Sequence, residues 1–328
     1  MVLRPIIFLL TLLVAAGIGF GLSLLVAAPA TPEAAEDATG RAETRVVVVT
    51  HGSAADPFWS VVKNGVDQAQ ADTGATVEYR APDTFDMPAM VQLINAAVAS
   101  APDALVVSIP DAVALRGAIT AAVAAGIPVF SINSGSDVFQ ELGVLRHVGQ
   151  TEYEAGLGGG RRAAGLGATR GLCINHEVGN VALDLRCNGF RDGLGGPVEV
   201  LAVPTDPIEV RNAVVAAMRD TAINAVLATG PVGGIPTLDA LRQIGRAGDV
   251  VFGTFDLAPD LLQGAVEGDV SFLIDQQQWL QGYLGVVTAV NYVQYGLRPG
   301  NEIILTGPGF VTPDTAAQVI SLSAQGIR

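Results

Sequence analysis

The chain has 328 residues, enough for two domains of ordinary size, and half of them are hydrophobic against 15% charged. A net charge of −14 and a pI near 4.5 exclude a nucleic-acid-reading surface and docking on an anionic membrane, since both need clustered Lys and Arg.

The first thirty residues form a separate object. "MVLRP" carries one Arg, "IIFLLTLLVAAGIGFGLSLLVAA" is continuously apolar, and "APA" precedes a polar stretch. The charged, apolar and small-residue regions fit a secretory signal cleaved after Ala30. The apolar run is also long enough to span a bilayer, so residues 1–30 read as a signal peptide or an uncleaved N-terminal anchor. Either way the remainder is exported. Residues 31–44, "TPEAAEDATGRAET", are small, polar and acidic, and read as a linker. Export gives meaning to the two cysteines: Cys173 and Cys187 are expected to be bridged, which is worth about 3 kcal/mol for a loop of that size.

From residue 45, short apolar runs alternate with amphipathic segments. "RVVVVT", "ATVEYR", "DALVVSIP", "IPVFSIN" and "LRHVGQ" are the runs, and "PAMVQLINAAVASA" and "LRGAITAAVAAG" lie between them. Val and Ile on both faces suit parallel strands covered by helices, so the fold class is α/β. The pattern restarts at "RGLCINHEVGN" and continues through "PVEVLAVPTDP", "INAVLATGP", "DVVFGTFDLAPD" and "VSFLIDQQQ". "QTEYEAG" (150–156) and "QQQWLQG" (276–282) repeat Gln, an aromatic and Gly at one spacing. Two similar doubly wound parallel-sheet lobes follow, with ligand expected in the cleft between their carboxyl-end loops. The polar residues past the strands are then His51, Asp56, Asp111, Asn133 and Ser134 in the first lobe. In the second they are His176, Glu177, Asn180, Asp184, Arg186, Thr229, Asp256, Asp275 and Gln276. This set is rich in Asp, Asn and Gln, which bond to hydroxyls.

With "DPFW" after the first strand, "GTFDLAPD" late in the second lobe and "IDQQQWLQGY" at the return, the chain resembles the type I periplasmic sugar-binding proteins of ABC importers, of which ribose-binding protein is the familiar member. The resemblance covers nearly everything after residue 45. It implies a hinge of three crossings, near 149–150, 276–277 and 304–306. Lobe one is then 45–149 plus 277–304, and lobe two is 150–276 plus 305–328. It implies that Asp56 bonds a sugar while Phe58 and Trp59 stack on its ring. The pair after the fourth strand, often Asp-Arg in ribose binders, is Asn133-Ser134 here, which puts ribose itself in doubt. The remaining implied contacts are Asn180, Asp184 and Arg186, then Asp256 and Gln276. The position of a family Asn in the second lobe is Gly230, which leaves that contact missing or moves it to Thr229. The resemblance further implies a periplasmic monomer that delivers a sugar or polyol to a membrane permease. A chemoreceptor or sensor kinase is the alternative partner. No cofactor is implied.

Each of these residues also has a plainer role. Asp56 caps a helix that Pro57 begins, and capping leaves one carboxylate oxygen for a ligand. Phe58 and Trp59 could staple that helix. Asp256 could serve a turn. His51, Asp111, His176 and Thr229 are weaker ligand candidates, and Arg186 could pair with Asp184 or another acid. "GLGGGRRAAGLG" (156–167) fits no phosphate-binding fingerprint and reads as small residues for close helix packing. Three histidines and two cysteines at these spacings make no zinc site. Two acids facing a cleft would suit a glycoside hydrolase, the alternative from a different class.

Overall fold

A computed structural model describes residues 44–328; the leader and all but the last residue of the linker lie outside the described residues. The first sheet takes β1 (Arg45–Val49), β2 (Thr76–Arg80), β3 (Ala104–Val107), β4 (Val129–Asn133) and β5 (His147–Gly149). Helices α1 (Pro57–Thr73), α2 (Met87–Ala99) and α3 (Ala112–Ala124) connect its first four strands. After α4 (Glu152–Gly165), the second sheet takes β6 (Gly171–Asn175), β7 (Val198–Ala202), β8 (Ala225–Ala228), β9 (Val251–Phe255) and β10 (Phe272–Asp275). Its connecting helices are α5 (Val181–Leu194), α6 (Pro207–Ala217), α7 (Pro231–Gln243) and α8 (Pro259–Glu267). Then come α9 (Gln278–Tyr295), β11 (Ile303–Leu305), β12 (Gly309–Val311) and α10 (Pro313–Ala324).

Sheet one runs β11-β5-β4-β3-β1-β2, parallel throughout; sheet two runs β12-β10-β9-β8-β6-β7, parallel except where β12 meets β10. The chain thus changes sheet after Gly149, after Asp275 and between Leu305 and Gly309. In each sheet the first strand lies between the second and the third, so the loops after β1 and β3, and after β6 and β8, diverge and leave a crevice at their carboxyl ends.

The strands form because both their faces are covered. Val46, Val47, Val48 and Val49 are fully buried: Val47 and Val49 pack under α2 and α3, Val46 and Val48 under α1 and α9. Each such Val contributes about 1.5–3 kcal/mol. Sheet two repeats the arrangement, with Phe255 and Phe272 of its strands packed against Phe190 of α5 and Ala155 and Ala163 of α4 in one core. The Cys173–Cys187 disulfide joins β6 to α5 in that layer. The run 156–167 serves packing: a Cβ on Gly156 would stand 2.1 Å from the Arg186 carbonyl oxygen, so α4 and α5 touch backbone to backbone.

Candidate functional site

Where the two sets of carboxyl-end loops meet, they line a cavity with about 360 Å³ of space between its walls, counted out to the solvent at its mouth. Its first wall comes from sheet one. Asp56 caps α1 through one oxygen, Oδ1, which accepts from the Phe58 amide at 2.8 Å and the Trp59 amide at 3.3 Å. Pro57 takes the first helical position, where its missing N–H costs nothing. The cap aims the next two side chains, and both Phe58 and Trp59 line the cavity. Their rings meet edge to face, 4.9 Å apart, and His51 stands edge-on to Trp59 at 4.7 Å. Gly52 allows this: a Cβ there would lie 2.0 Å from Trp59 Nε1.

The second wall is polar. His176, Glu177, Arg186, Thr229 and Asp256 line it, with Leu183, Pro231 and Val232 between them. Arg186 holds Glu152 through two bonds, Nε to Oε2 at 2.6 Å and Nη2 to Oε1 at 3.0 Å. Its Nη1 donates to the Thr229 carbonyl at 2.6 Å, and its Cζ lies over the Phe255 ring, 4.2 Å from the centre. Both members of the pair are buried. Burial works against the Arg186 charge, and Glu152, Asp256 and Glu177 together outweigh it, so the guanidinium is held above its ordinary value.

Asn133 and Asp256 occupy equivalent strand ends, and both adopt left-handed backbone, with φ of 64° and 70°. Asn and Asp are the non-glycine residues that tolerate this region best, and such strain concentrates at functional sites. Gln276 joins them. Its Nε2 donates to Asp256 Oδ1 at 2.8 Å, while Asn133 Nδ2 donates to its Oε1 at 3.3 Å. Gln281 Nε2 reaches the same Oε1 at 3.1 Å and Thr306 Oγ1 at 3.2 Å, which ties the site to two crossings.

Burial sets the protonation states. It pushes Asp256 up to about 7, opposed by Arg186 and Gln276. Burial likewise pushes Glu177 up to about 7, opposed by the Asn180 bond and reinforced by Asp56. Burial, with Arg186, pulls His51 and His176 down to about 3, so both rings are neutral at pH 7. His51 Nδ1 pairs with Ser108 Oγ at 2.8 Å, and His176 Nδ1 with Thr229 Oγ1 at 3.2 Å.

The two walls also touch each other. Asn180 Nδ2 lies 3.4 Å from His51 Nε2, Glu177 Oε2 lies 3.7 Å from the same nitrogen, and the Val181 amide donates to the Pro110 carbonyl at 3.0 Å. The crevice is therefore closed in this structure.

Four expected contacts stand away from the cavity wall. Asp184 is exposed and accepts from Asn175 Nδ2 at 3.0 Å; it neither faces the cleft nor pairs with Arg186. Asn180 caps α5 and donates to Glu177 at 2.7 Å. Ser134 is buried and donates to Asn133 Oδ1 at 2.8 Å. Asp111 caps α3. The reasons are local: capping consumes Asn180 and Asp111, the helical period turns Asp184 outward, and Ser134 spends its hydroxyl on its neighbour Asn133. At Gly230 an added Cβ would lie 2.9 Å from His176 Cε1, so His176 occupies the space that a side chain at 230 would enter. Glu152 and Glu177 are the acids whose importance sequence reasoning missed. Glu177 stood among the strand-end residues without a role, and the signal for Glu152 was an Arg186 needing a buried partner.

Residues 46–297 match the family model described as the periplasmic binding protein domain. The chain is 23% identical over 286 residues to a xylose/arabinose-binding protein of Sulfolobus acidocaldarius, covering 82% of this chain and 71% of that one. It is 26% identical over 265 residues to a D-ribose/D-allose-binding protein of Pseudomonas aeruginosa, covering 76% and 82%. Among solved structures it is similar to a carbohydrate transporter from Acidothermus cellulolyticus in complex with myo-inositol. That match has a TM-score of 0.83 and 32% identity, and covers 88% of this chain and all of the other.

Proposed function

Since the chain belongs to the periplasmic binding protein domain family, we propose that it is an exported solute-binding protein for a neutral poly-hydroxylated ring, a simple sugar or a cyclitol. One observation carries the reading: the cavity has an aromatic pair on one wall and hydrogen-bonding carboxyl, amide and guanidinium groups on the other. A sugar or inositol ring presents C–H faces to the aromatics and a rim of hydroxyls to the polar groups. The single guanidinium on the wall is already matched by Glu152, so an anionic ligand would meet no uncompensated cation. The relatives that bind xylose, arabinose, ribose and allose, and the neighbour holding myo-inositol, support the same class.

In this reading the lobes open at the three crossings, close on the ligand, and the closed form engages a permease of an ABC importer. Binding without turnover is the whole task. Selectivity comes from pairing, because an analogue lacking one hydroxyl leaves a buried group without a partner.

The test is a thermal-shift screen of the secreted chain over pentoses, hexoses, linear polyols and inositols, followed by calorimetry and product analysis. A ligand at a hundred times its Kd should stabilise by about 2.7 kcal/mol. Asp256→Ala and Trp59→Ala should each weaken binding of the best hit at least tenfold. Product formation overturns the reading, as does a panel with no hit; unchanged affinity in both variants overturns the site.

A further inference from the structure

The cavity has a neighbour. Asp256 and Pro231 line both it and a larger chamber, open to solvent, with about 720 Å³ of space counted out to its mouth; its other walls include Ser60 and Asn64 of α1, Gln278 at the start of α9, and Arg328. Asp256 spends Oδ1 on Gln276, and among the described residues no donor bonds its Oδ2. Arg328 pairs with Asp275, and Asn64 Nδ2 donates to the Gly326 carbonyl at 3.1 Å, so the last residues form a fixed outer wall.

Gln278 is the informative group. It is 2% exposed, and its Oε1 has no hydrogen-bond partner. Gln278 stands where Glu152 stands in the other half of the molecule, since "QTEYEAG" and "QQQWLQG" are equivalent segments. Glu152 finds Arg186; the residue equivalent to Arg186 is Val62, which offers no donor. A buried amide oxygen without a donor costs free energy unless something else supplies one.

We propose that this chamber is a second subsite, so that the ligand is a ring bearing a hydroxylated substituent, such as a disaccharide or a glycosylated cyclitol. The inference rests on the proposed binding of a poly-hydroxylated ring in the first cavity. The ring fills the first cavity, and hydroxyls of the substituent donate to Gln278 Oε1 and, at the shared wall, to Asp256.

Calorimetry on matched pairs tests it: glucose with cellobiose, xylose with xylobiose, and myo-inositol with its α-galactoside. In at least one pair the larger member should bind tenfold more tightly or better. Ser60→Phe, which puts a ring into the chamber from its α1 wall, should erase that gain and leave the Kd of the ring within threefold of its original value. Asn64→Trp, on the exposed rim, repeats the test should Ser60→Phe fail to fold. Binding of the larger members alone also supports the subsite and narrows the ligand. If rings bind and no larger member binds better than its ring, the subsite falls and the proposed function stands. A gain that survives both variants likewise overturns the subsite. The pairs are extended to the best ring of the wider screen and its glycoside, and binding of neither class across that whole set overturns both readings.

Discussion

The same helix pair is built twice. In the second lobe α4 and α5 pack through Gly156 and Gly189; in the first, α9 and α1 pack through Gly282 and Gly65, with the same backbone-to-backbone approach. A Cβ on Gly156 would meet the Arg186 carbonyl, and one on Gly282 would meet the Val62 carbonyl, each at 2.1 Å. At this shared place the second lobe holds a buried ion pair, Arg186 with Glu152, and the first holds Val62 at the position equivalent to Arg186 and, at that of Glu152, a Gln278 whose Oε1 has no partner. The duplicated scaffold thus supplies position, and the residues placed on it divide the labour. One lobe brings aromatic surface to the cleft and the other brings charge.

The largest effect should come from breaking the charged version. Arg186→Met leaves the Glu152 carboxylate buried with only Gln150 Nε2 beside it, at 3.0 Å. Breaking one side of a buried pair costs about 3–5 kcal/mol. Denaturant titration should show that loss, and calorimetry should show no ligand binding. Arg186→Met combined with Glu152→Leu should recover most of the stability and none of the binding. Such recovery separates what the pair does for the cleft from what it does for the fold. A double variant as unstable as the single one would mean that the pair is not the source of the loss.

A smaller effect should appear in the pH dependence. The folded chain holds a proton on Asp256 up to about pH 7, whereas an unfolded Asp releases it near 4. The stability this lends is fully present below about 4 and is lost as the pH rises through 7. The buried histidines act in the opposite sense. His51, His147 and His176 resist protonation down to about 3, so their contribution falls as the pH drops below 6.5. Comparing Asp256→Asn with the parent cancels the histidines. The variant should gain on the parent between pH 4 and 7, by about 4 kcal/mol at most. Melting curves across that range check it, and a constant difference would show that Asp256 titrates normally.

Much of the fold was legible because it rests on local rules. Unbroken Val runs mark strands covered on both faces, and Asp-Pro and Asp-Ala steps mark helix starts. The cleft wall was partly legible for the same reason: His51, Asp56, Phe58, Trp59, Asn133, His176, Arg186, Thr229, Asp256 and Gln276 all line the cavity, since strand ends place them there. Asp184 shows where that reasoning stops. Leu183 and Arg186 are three apart and share the cleft face of α5, so the intervening Asp184 is turned about 100° away, toward solvent. The resemblance implied Asp184 together with Arg186, and the helical period brings only Arg186 to the cavity wall. Glu152 was hidden differently. It meets Arg186 across 34 positions, and only the packing of α4 on α5 brings them together.

The smallest effect should have the opposite sign, and it falls on the uncharged version of the helix pair. Gln278 buries an amide oxygen that no donor reaches, and the position equivalent to Arg186 holds Val62, which cannot supply one. Gln278→Leu removes the orphaned oxygen and keeps most of the volume, so the ligand-free chain should gain about 1 kcal/mol, or about 2–4 °C in Tm. Glu152→Leu, the same change at the equivalent place in the other lobe, strands Arg186 and should cost about 3–5 kcal/mol. The two Tm shifts should therefore differ in sign although the backbone around them is the same. If both variants lose stability, Gln278 is already satisfied by solvent in the chamber, and the asymmetry between the lobes is one of charge alone.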